Sequence, residues 1–110
     1  VVVSNPPSST VHALRVLLDP NRTIGYQQEL RWNFDTGETT GLLIRNDVAV
    51  PTDGKDSNLS ISLSVETWAD LLAGKVTLSD SLTSGMITTE NTTEQITLFF
   101  SHFDLPTFTQ

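Results

Sequence analysis

The segment Tyr26–Asp35, YQQELRWNFD, constrains the fold most. Its apolar residues Tyr26, Leu30, Trp32 and Phe34 fall on one side of a two-residue period, and Gln27, Glu29, Arg31, Asn33 and Asp35 fall on the other. That pattern predicts a half-buried strand with a large aromatic payload on one face. Asp35 and the three residues that follow it, Thr36-Gly37-Glu38, suit a turn, and TTGLLIR at 39–45 returns as a second strand. A hairpin carrying three bulky rings on one face needs a cover, so the rest of the chain must supply one.

SVETWADLLAGKVTLSDSLTSG, at 64–85, is the candidate cover. Val65, Trp68, Leu71 and Leu72 recur at helical steps, Ser64 is a suitable N-cap, and Glu66 complements the dipole of the first turn. Gly74 stops this helix, Thr77 caps a second, Leu78 and Leu82 share its face, and Gly85 stops it in turn. Upstream, Val11, Leu14, Leu17 and Leu18 mark a first helix that Asp19-Pro20 ends. VAVP (48–51), LSISLS (59–64) and MITTEN (86–91) read as further strands. TTEQITLFFSHF, at 92–103, reads as a last helix with Thr92 and Gln95 in capping-box positions. The order α-β-β-β-β-α-α-β-α implies an α+β domain with helices over one face of a sheet. Residues 1–10, VVVSNPPSST, are expected to be an extended linker arriving from an upstream domain, with 11–110 as the domain itself.

A net charge of −7, with six scattered Lys and Arg, argues against nucleic acid and anionic membrane surfaces as partners. No apolar run approaches the roughly 20 residues of a membrane span. The chain has no cysteine, which removes disulfides, thiolate metal sites and thiol nucleophiles but leaves the compartment open.

Catalytic motifs are tempting but incomplete. Asp35-Thr36-Gly37 is the triplet of aspartic proteases, whose paired carboxylates share a proton and activate water. Glu38 would crowd that dyad, no glycine-rich flap is present, and the helices are too many, so the triplet reads as a hairpin turn. His12 and His102 lack metal-ligand spacing and read as surface or capping residues. No Gly-x-Ser-x-Gly elbow or phosphate loop occurs, and Glu66 with Asp70 reads as a solvated helix face. Asn21, Asn58 and Asn91 begin Asn-x-Ser/Thr triplets, which chance supplies readily in a chain rich in Ser and Thr.

A surplus of large apolar residues remains, and it is either a filled core or the wall of a cavity for an aliphatic chain. LDPNRTIGYQQELRWNFDTGETTGLLIRNDV resembles the opening of the sterol-carrier-protein type 2 fold, and more narrowly the C-terminal domain of bacterial alkylsulfatases. Leu71, Leu72, Gly74, Leu78, Asp80, Leu82 and Gly85 fall on that family's Leu-Leu-x-Gly and Leu-x-Asp-x-Leu-x-x-Gly pattern, and FFSHFDLPTF resembles its closing helix and tail. Asn46-Asp47 departs from the family's more usual Asn-Gly turn.

The resemblance implies one mixed five-stranded sheet with a face covered by helices, in a bacterial protein. It implies a non-catalytic domain that binds aliphatic or lipid-like molecules. Trp32, Phe34, Leu43, Ile61, Trp68, Leu72, Leu82, Met86, Phe99 and Phe103 are then the candidate ligand-binding residues. The expected partners are a dimerisation region and a catalytic domain upstream in the same chain. The latter would hold two zinc ions, none of whose ligands is placed on this sequence. A free-standing lipid carrier and a packing domain without a cavity are the alternatives.

Overall fold

The computed structural model describes residues 7–19, 25–45 and 48–109. Helix α1 (Pro7–Ala13) runs into a 3-10 turn at Leu14–Leu17. Strands β1 (Gln28–Phe34), β2 (Thr39–Arg45), β3 (Val48–Thr52) and β4 (Leu59–Leu63) follow. Then come α2 (Val65–Ala73), α3 (Leu78–Ser84), the short β5 (Ile87–Thr88), α4 (Thr93–Phe100) and a final turn of helix, α5 (Pro106–Thr109).

The five strands form one sheet in the order β3-β2-β1-β4-β5. All neighbours are antiparallel except β1 and β4, which run parallel. The sheet is therefore mixed, and the helices lie on one face of it. Register explains which side chains they cover. Leu30, Trp32 and Phe34 of β1 pair with Leu59, Ile61 and Leu63 of β4, and all six are buried. Across the other edge Leu30 pairs with Leu42 and Trp32 with Thr40, both buried as well.

The Asp35-Thr36-Gly37 triplet is a turn. Gly37 has φ of 88°, a left-handed value that favours glycine, and its N–H donates to the Phe34 carbonyl at 3.0 Å. Asp35 Oδ1 accepts from the Val65 N–H at 3.1 Å, so its carboxylate anchors the start of α2.

Local capping follows the sequence closely. Ser64, Thr77 and Thr92 each accept a backbone N–H at the head of a helix, and Thr92 with Gln95 completes a capping box. Gly74 and Gly85 close α2 and α3 with φ of 81° and 83°.

Three readings need correction. Residues 7–10, expected as linker, are the start of α1. Proline suits a first helical turn because its missing N–H has no intrahelical acceptor there. The first six residues of the expected linker, the loop at 20–24 and the Asn46-Asp47 turn lie outside the described residues. The 92–103 helix ends at Phe100, and α5 forms separately after Pro106. The last strand is two residues long, because only Ser62 and Leu63 of β4 pair with it.

Candidate functional site

The inner face of the sheet and the helices over it enclose an aromatic interior. Both tryptophans and all five phenylalanines of the chain are buried there. Trp32 lies at its centre: the rings of Trp68, Phe99 and Phe100 stand around it at 5.7, 6.1 and 5.7 Å, each edge-on. Phe108 of α5 stacks on Trp68 at 6.3 Å and meets Phe100 at 4.7 Å. These are contact separations, and such pairs add about 0.5–1.5 kcal/mol each beyond the area they bury.

Of the ten candidate residues, six meet in this interior: Trp32, Phe34, Ile61, Trp68, Phe99 and Phe103. Leu72 and Leu82 pack against its rim only partly buried. Leu71 and Leu78, which lie on the same stripes read in the sequence, are the fully buried leucines of those two helices.

Leu43 is not part of the interior. It pairs with Glu29 and points to the opposite face of the sheet, since Leu42 and Ile44 take the inner positions. Met86 is 44% exposed, because Ile87 is the inward residue of β5. It borders a surface groove of about 310 Å³ with Phe34, Leu63 and Gly85. A larger surface concavity, about 440 Å³, runs beside α4 along Thr97, Leu98 and Ser101.

One cluster of polar groups meets the interior beneath α1; elsewhere Thr107 Oγ1 is buried and donates to the Leu71 carbonyl at 2.8 Å. Thr10 Oγ1 accepts from Trp68 Nε1 at 2.9 Å. His12 Nε2 and Thr40 Oγ1 share a hydrogen bond of 2.8 Å, and Thr40 is 2% exposed. Trp32 Nε1, by contrast, is buried with no hydrogen-bond partner among the described residues. Sequence reasoning missed Thr10, His12 and Thr40 as inward groups. Thr40 was recoverable by counting pairs outward from the turn, whereas nothing local marks Thr10 or His12.

His102 is buried, not a surface residue. Its Nδ1 is 3.2 Å from the Phe99 carbonyl, as a residue capping the end of α4, and Tyr26 stacks on its ring at 3.9 Å. Burial pushes the Tyr26 hydroxyl up from 10.0 to about 12. Asn91 is built into the fold: its amide accepts from Ser60 N–H at 3.0 Å and donates to the Asn58 carbonyl at 2.9 Å. Among the described residues no group of three or more His, Asp and Glu side chains could hold a metal ion. Among them, too, no helix is long and apolar enough to cross a membrane.

This sheet-and-helix arrangement is that of the sterol-carrier-type proteins. Sterol carrier protein 2 of Yarrowia lipolytica superposes with a TM-score of 0.64 at 15% identity, over 94% of this chain and 97% of that one. The palmitated SCP2L2 of Aedes aegypti gives 0.59 at 13% identity, over 82% and 84%. The inverting sec-alkylsulfatase Pisa1 of a Pseudomonas species gives 0.78 at 21% identity, over 91% of this chain but 16% of that one. The chain thus spans about a sixth of that enzyme's length. Residues 1–109 match the alkyl sulfatase C-terminal model, and the chain belongs to that family. No curated protein matches the sequence.

Proposed function

We propose that this domain binds the aliphatic tail of a long-chain amphiphile between the inner face of its sheet and the helices above. In this reading it is the non-catalytic C-terminal part of an alkyl sulfate ester hydrolase, and it presents the tail to a zinc-bearing catalytic domain elsewhere in the same chain. The observation that carries the reading is the apolar, aromatic interior in a fold shared with a palmitated protein. Family membership supplies the hydrolase context. The described residues offer no zinc site, so the metal would belong to that other domain and takes no part in the chemistry of this one.

Burial of a dodecyl tail is worth about 9 kcal/mol gross at roughly 0.8 kcal/mol per methylene. Association costs of about 4–15 kcal/mol leave moderate affinity at most, which suits a domain that delivers and releases. The net charge of −7 gives a sulfate head no general attraction, so the tail must provide the grip.

The close contact of Trp32 with Trp68, Phe99 and Phe100 favours a second reading, a packing domain whose core is already filled. Titrating tryptophan fluorescence with 1-dodecanol and with dodecyl sulfate below its micellar range separates the two. A saturable one-to-one change with dodecanol supports tail binding, and unchanged emission throughout supports the packing domain.

A further inference from the structure

The two interior indoles are treated differently. Trp68 Nε1 has its acceptor in Thr10, whereas Trp32 Nε1, in a side chain 0% exposed, has none among the described residues. A buried donor is costly to leave unpaired, and proteins seldom do so without cause. The place is distinctive. Thr40, the β2 residue directly opposite Trp32, carries the hydroxyl bound to His12, and Thr10 and His12 both come from α1.

Among the described residues no Lys or Arg side chain reaches this corner: Arg15, Arg45, Lys55 and Lys75 are exposed, and Arg31 lies on the other face of the sheet. A sulfate or carboxylate carried inside would be buried without a charge partner. A hydroxyl fits better, because it accepts one hydrogen bond and donates another.

Resting on the tail-binding reading above, we infer that the interior is selective for uncharged long-chain alcohols, whose oxygen accepts the hydrogen bond of Trp32 Nε1 beneath α1. Hydrolysis of an alkyl sulfate ester releases such an alcohol together with inorganic sulfate. The domain then receives the product, and α1, latched by Thr10 and His12, is the cover that must shift to admit it.

The test uses the 110-residue chain with 1-decanol, decane and decyl sulfate as probes. Calorimetry should rank decanol about tenfold above decane, equivalent to 1.4 kcal/mol, with decyl sulfate, held by its tail with the head outside, also below decanol. Replacing the Trp32 indole with its benzothienyl isostere, which puts sulfur in place of N–H, should abolish the preference for decanol and leave decane binding unchanged. Independently, in the unmodified protein decanol should move the Trp32 indole N–H proton resonance downfield while that of Trp68 stays in place. Equal binding of decanol and decane with an unmoved Trp32 signal overturns the alcohol anchor alone, and the aromatic faces around the N–H then suffice for it. Binding of neither overturns the tail-binding reading as well.

Discussion

Replacing Thr10 with valine tests whether α1 is held by a polar latch. Valine keeps the branched shape and has a similar helix propensity, so the change removes the hydroxyl and leaves the rest of the side chain in place. Trp68 is 1% exposed, and its Nε1–H would lose the partner now 2.9 Å away. Leaving a buried donor unpaired costs about 1–3 kcal/mol, and the middle of that range is about 2 kcal/mol. In a domain of this size that lowers the melting midpoint by about 8 °C or more. Urea unfolding followed by tryptophan emission should show a lower midpoint at unchanged slope. The same change made on a Trp68→Phe background should cost under about 0.5 kcal/mol, because the donor is gone, so the coupling energy should exceed about 1 kcal/mol. Equal losses in both backgrounds would refute the latch, and Thr10→Ser should retain most of the stability.

Other consequences are as specific. Gly41→Ala would set a methyl 2.6 Å from the Gly54 Cα and N and against Thr52 Oγ1; backbone cannot yield easily, so a loss of about 3 kcal/mol is expected in urea unfolding. Thr92→Ala removes the Oγ1 that accepts from the Gln95 N–H, one half of the α4 capping box, and should cost about 1 kcal/mol by the same assay. The single tyrosine makes the alkaline limb readable by absorbance: Tyr26 should ionise near pH 12, above its ordinary 10.0. The folded state favours the neutral phenol, so its contribution is fully present below pH 10 and is lost as pH rises toward 12. The ring is partly in contact with solvent, which leaves about 1 kcal/mol of the roughly 2.7 that a hundredfold change would imply. Ionisation near pH 10 would contradict the burial of that hydroxyl.

Much of the fold was legible because it is written in local terms. The β1 alternation, the Asp35-Thr36-Gly37 turn and the Ser64, Thr77 and Thr92 caps each depend on neighbours a few residues away, and each forms where the pattern places it. What failed depended on phase or on distant partners. Gly41-Leu42-Leu43-Ile44 presents three apolar residues in succession, and only the pairing with β1 decides that Leu43 faces away from the core. Met86 was lost in the same way, through the phase of β5. The helical start at Pro7 was hidden because a Pro-Pro-Ser-Ser stretch favours extended chain locally, whereas Thr10 and His12 gain their partners 58 and 28 residues away. The interior of the candidate site was therefore readable in its aromatic members, and its polar corner was not.

The most direct test of the central claim is an amide and indole NMR titration of the domain with 1-dodecanol at concentrations where the alcohol is monomeric. If the interior is a tail-binding site, the shifts saturate at one equivalent and concentrate on Trp32, Ile61, Trp68, Phe99 and their neighbours on the inner face. If the resonances of those residues stay unmoved while only exposed positions such as Leu98 respond, the interior is a closed core and the account is wrong.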